Sequence, residues 1–574
     1  MPREDAVTTP DLPWIKSYPP GIPWNAKIDM LPVHHLLDDA AARAPDRHAI
    51  EFQGKAYTYA QLHECVQRFA AGLQSLGVGP GIKVGLYLPN SPHYAIAFFA
   101  VLKAGGTVVN YSPLDAGAVL AHKIADSETD IIVTLDLESL YPLMNKLLGS
   151  TRLKTLVVGN MGEVSGAPDK VQAELRSQGQ LCDVAWDAQR IAFASLLDND
   201  GLCAPVAPID LHDTIAVLQY TGGTTGLPKG AMLSHGNLSA GCSQAVQNLS
   251  GGTGLQDGRE TFLAVLPLFH IYALTFNLLL GVRLAATLVL HARFDPAAAI
   301  RDLAEKRVTV FFGVPTMFTA INMFPGVEGN DFSSLKLSNS GGAPLPVEVH
   351  ERYEALTGCK LQEGWGMTEI CGVGTNTPMQ RRHKIGSCGV PLPGITIRFI
   401  SVDDPGKPVA YGRQGEICIA GPNVMTGYWK KPEATAEAMT PDGFLRTGDV
   451  GYMDDDGFMW IVDRIKDMIL CSGYNVYPRN IEEAIYKHPS VAEVLVVGVP
   501  DAYRGEAPKA FITLKQGAPS FTLDELKGFL KDSLGKHEMV QALEFRVSLP
   551  KTAVGKLSRK ELQDEEKRRV ASSA

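Results

Sequence analysis

From residue 55 the chain alternates two hydrophobic periods. KAYTYAQLHECVQRFAAGLQSLG starts extended and continues with apolar residues three and four apart, as an amphipathic helix requires. KVGLYLPNS is a short apolar run closed by turn residues, HYAIAFFAVLKAGG a helix ended by glycine, and TVVNYSP the start of another strand. Strand, helix, strand in this order predicts a parallel sheet, because parallel neighbours need a crossover. The alternation returns at DIIVTLD and TLVVGN, before a polar stretch, 161–213, that reads as surface elaboration.

Residues 262–282, FLAVLPLFHIYALTFNLLLGV, contain no acid or base except His270, and a membrane span needs about 20 apolar residues. Pro267 and His270 interrupt the run, which predicts a strand over 262–266 and then a helix of about three turns in a buried core. Beyond Pro391 turn-rich sequence separates the short strands ITIRFIS, GEICIAG and FMWIVD, a β-rich pattern, and Asp454, Asp455 and Asp456 read as a hairpin turn. After Lys466 a small self-contained α+β unit follows, with a capping box at Thr522 and Glu525. The expected boundaries are 1–465 and 466–574.

Composition narrows the partners. The 574 residues include 62 acidic and 53 basic ones, a formal charge of −9 without a long basic block, so no nucleic-acid footprint is present. The nine cysteines form no CxxC pair, which suits reduced thiols in a cytoplasmic protein. The N-terminal MPREDAVTTPDLPW places charges and prolines where a secretory signal has its apolar core. Peripheral association with the inner face of a membrane stays open, as does the oligomeric state, a homodimer included.

Four segments carry candidate chemistry. YTGGTTGLPKG, from Tyr220, follows the apolar strand TIAVLQY and is read as preceding a helix that begins near Ser234. It lacks the Gly-Lys-Ser/Thr ending of a Walker A loop, yet its glycines admit phosphate oxygens to backbone N–H groups and Lys229 adds charge. GWGMTE, preceded by SGGAPL, offers a tryptophan face and a carboxylate suited to a hard cation. In RTGDVGYMDDDGFMWIVDRIKD, Asp449 can accept from sugar hydroxyls and Arg464 can donate. KTAVGKLSRKEL presents Lys556 on a loop ahead of a helix; most lysines so placed are simply solvated.

YTGGTTGLPKG, GWGMTE, TGDVGYMDDDG, DRIKDMI with SGYNVYP, and PKTAVGK occur in an order and at spacings that resemble the adenylate-forming superfamily of acyl-CoA synthetases, luciferases and peptide-synthetase adenylation domains. The resemblance covers nearly the whole chain. LPLFHIYALT, GVPTMF and VMTGYWKKPEAT look most like the bacterial long-chain fatty acid–CoA ligases.

The fold so implied is α/β: a large N-terminal portion of two α/β subdomains plus a β-rich subdomain, then a small mobile α+β C-terminal domain. Carried over by motif, Thr221, Gly222, Gly223, Thr224, Thr225, Gly226 and Lys229 would wrap the ATP phosphates, with Thr221 and Glu369 holding Mg²⁺. Gly341, Gly342, Ala343, Trp365, Gly366 and Thr368 would line the adenine, and Asp449 and Arg464 would hold the ribose. Many members have tyrosine where Trp365 stands, so the stacking face is kept and a phenol hydrogen bond lost.

Lys556 would reach the reacting carboxylate and α-phosphate, and Lys466 would be the hinge. Ser472, Gly473 and Tyr474 would border a coenzyme A tunnel, and His270, Ile271, Val314 and Met317 an acyl pocket. The implied activity is ATP-dependent activation of a fatty acid to its acyl-adenylate and thioester transfer to coenzyme A. Two alternatives are carried: the same chemistry on a dicarboxylic or aryl acid, and a catalytically silent nucleotide-binding protein.

Overall fold

The computed structural model describes residues 12–221, 228–250, 254–379, 384–472, 474–501, 503–552 and 555–573. The chain divides into two compact units, one drawn from 27–374 and 421–439, the other from 1–26, 375–420 and 440–574.

The first unit holds two sheets of mainly parallel strands. One runs, in spatial order, Gly427–Tyr428, Lys229–Ser234, Ile215–Thr221, Thr107–Asn110, Lys83–Leu86, Ile131–Leu135, Thr155–Gly159 and Arg190–Ala192. Its strands are parallel from Ile215–Thr221 onward, and the two at the other end are antiparallel. In the second sheet Leu361–Trp365, Leu337–Gly341, Val310–Gly313, Thr261–Ala264, Thr287–Leu290 and His48–Phe52 lie side by side and parallel.

Helices supply the crossovers. Tyr59–Ser75 starts at a capping box of Thr58 and Gln61, and Pro92–Lys103 is buried along nearly its whole length, hence its lack of a polar face. The stretch 161–213 is more than decoration: Arg190–Ala192 adds an edge strand beside Thr155–Gly159, and Phe193 stacks on Phe69 at 4.2 Å. Short periodicity hid this strand, which is three residues long.

Residues 262–282 form the strand Thr261–Ala264 and a helix that begins at Ile271, passes through a π-helical stretch, Leu274–Leu279, and ends at Arg283. Among the described residues no helix is long and apolar enough to cross a membrane.

The second unit contains an antiparallel sheet in the order Pro408–Val409, Thr396–Ile400, Gly415–Ala420, Leu445–Met453 and Met459–Arg464. The expected hairpin turn is there: Asp454 Oδ1 accepts from the N–H groups of Asp456 and Phe458, both at 3.0 Å. After the single 3₁₀ turn Ile465–Asp467 comes another sheet, built on the long pair Val491–Asp501 and Gly505–Leu514 and backed by Pro478–Tyr486 and Leu523–Leu530. Ile481, Ile485, Val494, Val496, Ile512, Leu526 and Leu530 fill its core, and Thr522 caps the helix through Glu525 as expected.

Candidate functional site

Thr221, Gly341, Trp365 and Gly313 stand at the carboxyl ends of parallel strands, where α/β sheets bind their ligands. The glycine- and threonine-rich loop departs from Thr221, but it leads into a second strand and not into the helix: Lys229–Ser234 pairs back antiparallel, with Thr221 opposite Lys229, before the helix His235–Ser250. KGAMLS reads as the loop's approach to a helix because it is short and carries no strict alternation. Gly222, Gly223, Thr224, Thr225 and Gly226 lie outside the described residues.

The hairpin has a third neighbour. Gly427–Tyr428 pairs with Met232 and Ala231. This brings the Tyr428 hydroxyl to 2.9 Å from Glu369 Oε1, as a donor, and sets the Lys229 ammonium 5.2 Å from the Tyr428 ring centre. Burial first, then the Glu369 carboxylate, pushes the Tyr428 pKa well up and keeps the phenol protonated as a donor. The Met425 N–H donates to the Glu369 carbonyl at 2.8 Å, so backbone as well as side chain locates this carboxylate. Tyr428 was missed in the sequence although VMTGYWKKPEAT was singled out, because nothing in that run shows which strand it pairs with.

Trp365 is buried, and the chain folds back over it. A Cβ at Gly366 would lie 2.2 Å from the Gly372 carbonyl oxygen, so only glycine permits this approach. Gly341 faces Tyr272, whose ring would be 3.0 Å from an added Cβ, and the Tyr272 hydroxyl donates to Asn339 Oδ1 at 2.9 Å. The strand assigned to adenine thus touches the helix assigned to the acyl chain. His270 caps that helix, its Nδ1 accepting from Tyr272 N–H at 3.2 Å. Tyr272, Phe276 and Phe312 form an aromatic cluster with ring centres 5.3 to 6.3 Å apart; Ile271, Val314 and Met317 are buried. Gln219, two residues before Thr221, ties the phosphate strand to this segment by donating to the Phe269 carbonyl at 2.9 Å.

In the second unit Asp449 and Arg464 are direct cross-strand partners, with Arg464 Nε 3.1 Å from Asp449 Oδ1. Gly448, at φ 72°, makes the bend that precedes Asp449, and its N–H donates to the buried Glu416 carboxylate at 3.2 Å. The Lys556 loop closes on Thr552, which accepts the Lys556 N–H at its Oγ1 and donates its own N–H to the Lys556 carbonyl. Burial first, then the Arg464 charge, pulls the Lys556 pKa down to about 8, with Asp449 opposing. Lys556 therefore feels the charges of Asp449 and Arg464, whose positions in the chain are 107 and 92 residues before it.

Lys466 sits in the 3₁₀ turn Ile465–Asp467. Ser472, at φ 52°, and the largely exposed Tyr474 flank a hairpin between Ile469–Cys471 and Tyr474–Val476; Gly473 lies outside the described residues. Gly342 is exposed, Ala343, Gly366 and Thr368 half-buried. Away from these groups, His34, His35 and Asp38 come together, but Asp38 already accepts from Lys103 Nζ at 2.7 Å and from His63 at 2.9 Å.

Residues 37–429 match the family model described as AMP-binding enzyme, and residues 480–556 match its C-terminal domain. The chain is 39% identical over 557 residues to a long-chain-fatty-acid–CoA ligase of Bacillus subtilis (strain 168), covering 96% of this chain and 98% of that one. It is 35% identical over 524 residues to a feruloyl-CoA synthase of an Amycolatopsis species, covering 91% and 96%. Among solved structures, ATP-bound MatB from Rhodopseudomonas palustris superposes with a TM-score of 0.80 at 27% identity, over 93% of this chain and 98% of that one.

Proposed function

The chain belongs to the AMP-binding enzyme family, and from that premise we propose that it activates a long-chain fatty acid with ATP and transfers the acyl group to coenzyme A. The observation that carries the proposal is the chain of neighbours Thr221, Lys229, Tyr428 and Glu369 at a strand end, with the aromatic cluster of Tyr272, Phe276 and Phe312 packed by Tyr272 against the strand end at Gly341. In the first step a carboxylate oxygen attacks the α-phosphorus, a P–O bond forms, and the bond to the β-phosphate breaks to release pyrophosphate. In the second the coenzyme A thiolate attacks the acyl carbon, a C–S bond forms, and AMP leaves. No covalent enzyme intermediate is required; the protein orients the reactants and offsets charge.

Lys229 balances phosphate charge, Asp449 accepts from ribose hydroxyls, and Lys556 neutralises charge on the reacting oxygens during adenylation. Thr221 and Glu369 offer hard oxygen donors, the set magnesium takes beside phosphates, and the ion would supply charge neutralisation there. Tyr272, Phe276 and Phe312 favour an apolar tail, and the buried Val314 and Met317 extend it. An aryl acid is the second reading, supported by the same aromatic cluster and by the feruloyl-CoA synthase relative. ATP-dependent thioester formation is to be measured across saturated acids of increasing length and one hydroxycinnamate. A kcat/KM that rises to the long-chain acids is expected; a preference for the hydroxycinnamate would overturn the chain assignment, and no thioester or pyrophosphate with any acid would overturn the activity.

A further inference from the structure

Three residues beyond Lys556, Arg559 opens the helix Arg559–Ser573 with its guanidinium among three carboxylates. It grips Glu482 with two hydrogen bonds, Nη2 to Oε2 at 2.6 Å and Nε to Oε1 at 3.1 Å. Its Nη1 lies 3.5 Å from Asp463 Oδ1 and 3.5 Å from Asp467 Oδ2. Asp463 precedes Lys466 and Asp467 follows it, so a single side chain spans both ends of the turn Ile465–Asp467. Arg479 adds to the same point: its N–H donates to Asp463 Oδ2 at 2.8 Å, and its Nη1 to the Ile461 carbonyl at 2.6 Å.

Asp463 and Glu482 are 4% and 8% exposed, and burial raises the pKa of both against the pull of Arg559. Ion pairs so buried are costly to desolvate, and apolar side chains of similar volume often hold a fold together as well or better. What charges provide instead is one defined register that can be broken and remade. The strand end bearing Asp463 also bears Arg464, whose charge acts on Lys556. Holding Asp463 to Arg479 and Arg559 therefore holds Lys556 beside Arg464 and Asp449.

We propose that Arg559 and Arg479 form a latch on Asp463 that fixes the segment after Lys466 in the orientation where Lys556 serves adenylation, and that Arg559 is a positioning residue for that half-reaction. The latch rests on the two-step reaction proposed above. It would open once the acyl-adenylate has formed, as the segment leaves that orientation for thioester transfer.

The test compares wild type, Arg559→Lys and Asp463→Asn in separate half-reactions: single-turnover pyrophosphate release with ATP and fatty acid, and thioester formation from supplied acyl-adenylate and coenzyme A. Each variant is expected to slow adenylation about tenfold and leave thioester formation within about twofold, because one orientation loses stability relative to the other. Trypsin cleavage after Lys466, followed on the same full-length proteins, is expected to accelerate about tenfold as the turn is released. Asp463→Asn keeps the side-chain shape and an acceptor oxygen, and it decides the matter if Arg559→Lys does not fold. Unchanged adenylation, equal losses in both halves, or unchanged cleavage in a folded variant would overturn the latch. A wild-type protein inactive in both halves with every acid would overturn the proposed function instead, and the cleavage rates would still report on the latch.

Discussion

The surroundings of Glu369 and of Lys556 are held together by different means. Glu369 is placed by a hydrogen-bonded ladder: Ile215–Thr221 pairs with Lys229–Ser234, which pairs with Gly427–Tyr428, and the last strand delivers the Tyr428 hydroxyl. Lys556 is placed by a loop closed on Thr552 and by charged groups around a single 3₁₀ turn. A backbone ladder cannot be exchanged without leaving many amides unsatisfied, whereas a few side-chain ion pairs around one turn can be given up together when the turn changes orientation. The first arrangement suits a carboxylate held in one place, the second the release of Lys556 that the proposed latch requires.

Lys556→Ala is the severest way to test that contrast. It is expected to lower acyl-adenylate formation by roughly 10² to 10³, the scale of one lost transition-state charge partner, and to spare thioester formation from supplied acyl-adenylate. Equal losses in rapid-quench assays of both halves would erase the distinction between the two regions. Glu369→Ala is expected to lower kcat/KM for ATP by about 10², with partial recovery at raised magnesium, because an oxygen donor is lost. Recovery by magnesium that is absent from a folded variant would remove the metal role.

Smaller changes sharpen the comparison. Tyr428→Phe removes the donor to Glu369 and no bulk, so it is expected to raise KM for ATP roughly fivefold, the equivalent of a modest hydrogen bond. A wild-type KM would leave Tyr428 as packing alone.

The pH dependence isolates the other region. A lysine with its pKa lowered to about 8 is charged below that pH and loses its charge as pH rises through it. The adenylation kcat/KM, which reports the free enzyme, should therefore fall above about pH 8 while thioester formation lacks this limb. Lys556→Arg should move the limb beyond the measurable range, and a limb that persists in this variant would assign it to another group.

The chain's sequence determined the elements whose cause is local. Alternating hydrophobic periods mark the parallel sheets, Thr522 and Glu525 the cap they form, Asp454 to Asp456 the turn, and Pro267 with His270 the break before an apolar helix. The motifs also brought forward Asp449, Arg464 and Lys556, since the residue types and their order in the chain are local features that a resemblance can carry over. Tertiary structure decided everything that depends on pairing between distant segments. It turned KGAMLS into the second strand of a hairpin, set Tyr428 on Glu369, and gathered Asp463, Asp467 and Glu482 around Arg559. A strand's partner is fixed by the whole sheet's packing, and a buried charge by partners up to 96 positions away, as for Asp463 and Arg559. No local pattern encodes either, because the free energy that selects them exists only once the chain has closed on itself.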